Sequence, residues 1–418
     1  MNDAVMVVDC ECMSAAGATL ASTWETVVAN GSGVRTIDRY EPSAQALQGV
    51  SSVAYGGQVP LGFDELAGSA ATFRKWCEPA YHAVRSVART VLHRAGYDRG
   101  RHDPQRIALL GATALTSHHA RDALSKEARA DPKFILNQCQ NIPLAAAASE
   151  LGVQGPTLCI GSACASSAHA LFLAYQLIRA GVVDSALVVG YEFPLLPAAV
   201  GGLDWLNALY RRDDPADRAY TEPGRASRPF SRDRRGFVLA EGTGAILLSR
   251  FQTCVEMGWP TRAVLRGGYS NADADHLTRI SHENVTTCIR NAIRAAGCGP
   301  EEIECINAHA TSTPIGDRAE LLALAAVFGE RLREIPVVAN KSQVGHALGA
   351  AAILATSLAV QALQEQVIPP TLNYEPDPEL PAALVPARAT DHRHRATLIN
   401  AFGFGGTNVS LVIARATT

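Results

Sequence analysis

The sequence predicts an α/β fold made of two packed halves, and three observations carry that reading. Apolar runs of strand type alternate along the chain with longer runs of helical period. The 418 residues exceed what one simple core holds. Hydrophobic residues make up 47% of the chain and charged residues 18%, enough apolar material for largely buried sheets.

The elements follow in order. Trp76–Gly96 reads as an amphipathic helix stopped by its glycine, and Arg106–Ala112 as a strand. PTLCI, Pro156–Ile160, is strand-like. Ala165–Gly181 is helical, with Ala168, Leu171, Phe172, Tyr175 and Ile178 on one face and Gly181 as the stop. Asp184–Gly190, Gly244–Arg250 and Thr261–Ser270 read as strands, and Glu283–Gly297 as a helix. Gly201–Arg235 is dense in Asp, Arg, Pro and Gly and marks the internal boundary region, with halves 1–250 and 251–418. Ile303–Asn307 and Ile335–Asn340 are strand-like, and Arg318–Phe328 is helical. The tail is two apolar strands joined by the glycine-rich turn GFGGTN, Gly403–Asn408.

Composition excludes several functions. A net charge of -3 suggests no nucleic-acid partner. Ten cysteines without a pairing rhythm argue against a metal site or a disulfide framework and for a reducing compartment. The N-terminus MNDAVMVV has no basic n-region, and the Ala-rich run Gly349–Leu363 is too short to span a bilayer. The expectation is a cytoplasmic protein without a membrane segment.

Four stretches could carry chemistry. Cys164 sits among Gly, Ser and Ala at the start of a helix, where N–H groups and the dipole favour a thiolate. A small core cysteine and a nucleophile both fit that context. In Asn307–Glu320, NAHATSTPIGDRAE, His309 leads a Thr/Ser/Pro loop, and the D-x-x-E of Asp317 and Glu320 has the spacing of a capping box. In Asn340–Ala351, NKSQVGHALGAA, Lys341 follows an apolar strand and His346 lies in a loop before a helix. A buried Lys341 needs a carboxylate partner, and Glu320 is the candidate. GFGGTN is a hairpin turn or a flexible wall over a site, with Phe404 as a movable plug.

Taken together and in this order, the stretches GSACASS, RPFSRDRRGFVLAEGTGAILL, NAHATSTPIGDRAE, NKSQVGHALGAA and NAFGFGGTN resemble the β-ketoacyl-acyl carrier protein synthases of the KAS I/II type, in the thiolase superfamily. The resemblance implies a thiolase fold, two similar α/β halves in a five-layered αβαβα sandwich. It implies Cys164 as nucleophile, His309 and His346 as the paired histidines, and Lys341 and Glu320 as the charged residues beside them. Thr311 and Thr313 match residues that contact the pantetheine arm. Phe404, followed by Gly405, matches the gating phenylalanine whose N–H joins that of Cys164 in an oxyanion hole. Phe134 falls where the acyl pocket ends at a dimer interface. The partners implied are acyl- and malonyl-acyl carrier protein and a second ketosynthase-like chain, in a homodimer or heterodimer, and no cofactor is required. The implied reaction joins an acyl group on Cys164 to a malonyl unit with loss of carbon dioxide, for fatty acids or a specialised polyketide-like product. A chain-length factor, a decarboxylase or a carrier-docking scaffold are the competing readings, and the intact Cys164, His309 and His346 argue against each. Ser162 stands where the family often has Thr, Ala310 where Gly is usual, and Arg235 where Asp is common.

Overall fold

A computed structural model describes residues 3–38, 53–60, 79–97, 100–115, 139–275 and 280–416. Its first half contributes strands β1 (Val5–Ser14), β2 (Ile107–Ala112), β3 (Thr157–Ile160), β4 (Ser185–Glu192) and β5 (Gly242–Arg250). The second contributes β6 (Ala263–Ala272), β7 (Cys305–Asn307), β8 (Val337–Val338), β9 (Ala396–Gly403) and β10 (Thr407–Arg415). In space the first set runs β3-β2-β4-β5-β1 and the second β8-β7-β9-β10-β6, the same order. The pairing pattern repeats too. The first three strands of each set are parallel and the last two join antiparallel. The two sets touch edge to edge where Val5, Met6 and Val7 of β1 pair with Leu265, Val264 and Ala263 of β6.

The helices complete the layers: α1 (Leu20–Val28), α2 (Pro79–Ala95), α3 (Ile142–Leu151), α4 (Ser166–Arg179), α5 (Pro197–Trp205), α6 (Phe251–Met257), α7 (His282–Ala295), α8 (Pro314–Phe328), α9 (Lys341–Val344) and α10 (Ala351–Glu365). Helices α4 and α10 lie between the two sheets, and their apolar residues share one core with inward-facing residues of both halves. Helices α2 and α3 cover the outer face of the first sheet, and α7 and α8 that of the second. This is the five-layered αβαβα arrangement. Short side chains let α10 sit between two sheets. Its first ten residues are all buried, six of them Ala, Ser or Thr.

Several expectations shift at their edges. Trp76–Glu78 lie outside the described residues, and α2 is described from Pro79. Helices α2, α4 and α7 end just before Gly96, Gly181 and Gly297, which take the left-handed backbone their stops require. Gly201–Trp205 completes α5, so the loop-rich stretch begins at Leu206. That stretch is no linker between halves. It packs on the second half, where Arg228 N–H donates to Ser312 Oγ at 3.1 Å and Gly236 N–H to the Ser312 carbonyl at 2.9 Å. Leu348–Glu365 is a continuous helical run of 18 residues, long and apolar enough to cross a membrane by length and composition. What argues against that role is burial, because 83% of it lies inside the fold.

Sequence reading also missed the charged seam between halves. Asp9 and Glu11 are buried on β1. Arg94 of α2 holds Asp9 and Glu11, each at 2.7 Å, while Arg262, just ahead of β6, holds Asp9 at 3.0 Å. Buried carboxylates are tolerable only with such partners.

Leu171 is 1% exposed in the middle layer. Leu171→Ala is expected to cost about 2–5 kcal/mol, read as a lower denaturant midpoint in chemical unfolding with the slope unchanged.

Candidate active site

Cys164 reaches its place through a strained loop. Strand β3 ends at Ile160 and α4 begins at Ser166, so few residues make the turn. Ala163 takes φ +49, unusual for a residue with a Cβ, and sets Cys164 just ahead of the helix. Ser166 locks the turn. Its Oγ accepts from Ser162 N–H at 2.9 Å and donates to the Ala163 carbonyl at 2.6 Å. The β9–β10 hairpin closes over it. A Cβ on Gly403 would lie 2.7 Å from the Ser162 carbonyl oxygen, so only glycine fits there. Gly405 and Gly406 then take φ +84 and +70 to turn the chain back. GFGGTN is therefore both a hairpin turn and a wall of the site. The N–H groups of Phe404 and of Cys164 itself both point at the thiol sulfur.

The expectation of a thiolate at the helix end is corrected by burial. Loss of solvent pushes the Cys164 thiol up to about 12, with Lys341 the main opposing charge. The resting group is a thiol with two N–H donors beside it.

His309 follows the C-terminal end of β7, and its backbone N–H and carbonyl are both held. Glu320 Oε1 accepts from His309 N–H at 2.9 Å, and Lys341 Nζ donates to the His309 carbonyl. Glu320 also accepts from Ala310 N–H at 2.7 Å and Asn400 Nδ2 at 3.0 Å. The Lys341–Glu320 ion pair expected from the sequence is thus replaced by a shared grip on the backbone of His309, with the two charges acting on each other through space. Burial lowers Lys341 to about 8, and burial raises Glu320 above its ordinary value.

The capping-box reading of Asp317 and Glu320 fails because α8 starts at Pro314, placing both carboxylates inside the helix. Asp317 instead accepts from the N–H groups of Phe230 at 2.7 Å and Thr311 at 2.9 Å. Helix α8 thereby uses its buried acids to fix the loop ahead of it, with Ser312 at φ +70.

His346 is carried by a backbone exchange with the strand-like segment at Val238–Ala240. Its N–H donates to the Val238 carbonyl at 2.8 Å, and its carbonyl accepts from Ala240 N–H at 3.0 Å. Among the described residues His346 Nδ1 is buried without a hydrogen-bonding partner. Ring packing orients the imidazole instead. Phe237 meets it edge-on at 5.0 Å and His309 at 5.5 Å, while Phe402 braces His309 at 5.6 Å. Burial and the Lys341 charge hold both histidines well below their ordinary value, hence neutral at physiological pH.

Cys164, His309 and His346 line one cavity of about 340 Å³ together with Thr311, Thr313 and Phe404. The Thr311 and Thr313 hydroxyls lie 3.1 Å apart. The structure therefore gathers Cys164, His309, His346, Lys341, Glu320, Thr311, Thr313, Phe404 and Gly405 around one site. Phe134 lies outside the described residues. Glu192 was missed. Buried at the end of β4, it is raised to about 7 by desolvation and accepts from the N–H groups of Ala114 at 2.7 Å and Gly349 at 3.1 Å. The signal was a lone acid closing the apolar strand SALVVGYE. Arg235, the departure from the family pattern, is answered by Asp213, Asp214 and Asp217. Among the described residues no group of His, Cys, Asp and Glu is arranged to hold a metal ion.

Two α/β halves of one topology, with a thiol from the first facing two imidazoles from the second half and its edge, define a thiolase-fold condensing enzyme. The chain belongs to the β-ketoacyl synthase family. The family model for the N-terminal domain of beta-ketoacyl synthase matches residues 2–253, and that for the C-terminal domain matches residues 262–375. Among relatives, the 3-oxoacyl-[acyl-carrier-protein] synthase 2 of Coxiella burnetii is 30% identical over 96% of this chain and 96% of its own. The chloroplastic 3-oxoacyl-[acyl-carrier-protein] synthase I of Hordeum vulgare is 32% identical over 95% of this chain and 86% of its own. Of solved structures, the ishigamide ketosynthase/chain length factor superposes with a TM-score of 0.88 at 24% identity, covering all of both chains.

A thiol held near 12 stays mostly protonated through neutral pH. Alkylation of Cys164 by iodoacetamide should accelerate about tenfold per pH unit from 7 to 9 without levelling. A plateau beginning below pH 8, followed by peptide mass spectrometry, would show a stabilised thiolate instead.

Proposed function

We propose that this chain is a β-ketoacyl-acyl carrier protein synthase in which Cys164 carries the acyl chain and His309 and His346 drive decarboxylation of the extender. The observation that carries the reading is the convergence of the thiol, its two N–H donors and two neutral imidazoles on one cavity.

The chemistry follows from those groups. Cys164 sulfur attacks an acyl-carrier thioester. The tetrahedral oxyanion is held by the N–H groups of Cys164 and Phe404, and collapse expels the carrier's thiol, which leaves with the proton. A malonyl-carrier thioester then enters past Thr311 and Thr313. Its carboxylate leaves as carbon dioxide, and the electron pair of the broken C–C bond becomes an enolate. His309 and His346, uncharged, donate hydrogen bonds to the enolate oxygen. The carbanion attacks the acyl carbonyl on Cys164, and collapse gives a 3-oxoacyl-carrier thioester and a cysteine thiolate that takes up one proton. Lys341 and Glu320 are positioning residues that hold the His309 backbone.

The partners of this reading are acyl- and malonyl-acyl carrier protein and a second ketosynthase-like chain. Support for the latter is β3, which among the described residues is an edge strand, with Leu158 47% exposed, open to pairing with another copy or a sister chain. Unpaired cysteines throughout the described residues fit a reducing, cytoplasmic setting. The departures from the usual family pattern favour a specialised product over primary fatty acids.

Intact-mass spectrometry with acyl- and malonyl-carrier proteins tests the reading. An acyl adduct on Cys164 and a 3-oxoacyl product are expected, the adduct vanishing in Cys164→Ala. His309→Ala and His346→Ala should keep the adduct and lose at least 100-fold in product formation. Normal condensation in both histidine variants, or an unchanged adduct in Cys164→Ala, would refute it. Native mass spectra of the same samples should show a dimer, and a monomer would remove the edge-strand pairing.

A further inference from the structure

Eight large hydrophobic side chains stand exposed among the described residues, and half of them gather at one place. Leu206, Ile315 and Phe404, which are 56%, 68% and 41% exposed, line the catalytic cavity at its mouth. Trp205, 83% exposed, precedes Leu206 at the C-terminal end of α5 and does not line the cavity. An indole left this open has little packing role among the described residues. No acidic or basic side chain apart from the two histidines is among the cavity's described lining residues. Of the arginines near the mouth, Arg211 pairs with Asp204 at 2.6 Å and Arg235 with Asp213 at 2.9 Å, while the exposed Arg212 lies over the Tyr220 ring at 4.4 Å.

We propose that Trp205, with Leu206 and Ile315, forms an apolar docking collar for the carrier protein, seating an apolar patch of the carrier's surface beside its thioester arm. This rests on the reading of Cys164 as the acyl acceptor. Both acyl groups must reach a sulfur 6% exposed at the cavity floor, so their carrier has to seat at this mouth. A collar of exposed aliphatic and aromatic side chains recognises an apolar surface patch, with Trp205 as the anchor. Contacts of this kind are insensitive to salt, unlike the screened pairing of an acidic carrier with free surface cations.

The test separates docking from chemistry by using two acyl donors, an acyl-carrier protein and a small acyl-N-acetylcysteamine thioester that has no protein to dock. In Trp205→Ala the KM for the carrier-borne donor should rise about tenfold with kcat within about twofold, and Trp205→Phe should recover most of the loss. Acylation of Cys164 by the small thioester should be unchanged in both variants. Raising salt from 50 to 500 mM should change the wild-type carrier KM by less than about twofold. An unchanged carrier KM in Trp205→Ala, or a carrier KM that climbs steeply with salt, would overturn the collar. A native mass that falls from dimer to monomer in Trp205→Ala would also overturn it, by assigning the patch to a second copy. Failure of the small thioester to acylate the wild type would instead strike the catalytic reading itself.

Discussion

The site depends on the buried backbone of one residue, His309. Glu320 holds the N–H of His309 and Lys341 holds its carbonyl, so an acid from α8 and a base from α9 fix a histidine without touching its ring. Two opposite charges buried this deeply are costly unless both are hydrogen-bonded. Glu320 meets that condition with three N–H donors, and Lys341 with a carbonyl. The Lys341 cation then acts on what surrounds it. It opposes protonation of both histidines and opposes the burial that keeps the Cys164 proton on. One ammonium therefore favours the charge states that thioester attack and enolate stabilisation require.

The repeated topology explains how these groups meet. In each half the third strand leads to the helix of the middle layer: β3 to α4 in the first and β8 to α10 in the second. Cys164 lies in the first of these connections, and Lys341 and His346 lie in the second. The internal symmetry of the fold brings the two connections face to face. His309 comes from the end of β7 and Phe404 from the β9–β10 turn, both on the same side of the second sheet. Loops at strand ends can vary in chemistry while the buried layers hold their spacing.

Much of this was legible in the sequence. The period of Ala165–Gly181 marks its buried face, the glycine stops fall where the helices end, and the apolar tail reads as two strands joined by the GFGGTN turn. The residues Cys164, His309, Lys341 and His346 stand out because polar groups punctuate otherwise apolar or small-residue runs. What was hidden depends on contacts across long separations. The Asp317–Glu320 spacing looks like a cap because a cap is local, whereas the true donors to those acids lie in the preceding loop, on Phe230 and on Asn400. The partner of Lys341 is a backbone carbonyl, which no sequence pattern displays. The pull of the helix dipole on Cys164 could be anticipated, but the larger effect of burial could not, since it depends on walls such as Leu195, Phe237, Leu348 and Phe402 that come from distant parts of the chain. Glu192 was overlooked for the same reason.

The account turns on neutral imidazoles kept so by burial and by Lys341. The direct measurement is an NMR titration of the His309 and His346 side chains in the intact enzyme, assigned through His→Gln variants. Both rings are predicted to stay neutral from pH 8 down to 5.5, below the ordinary histidine value. Protonation of either ring at or above pH 6.5 would contradict it.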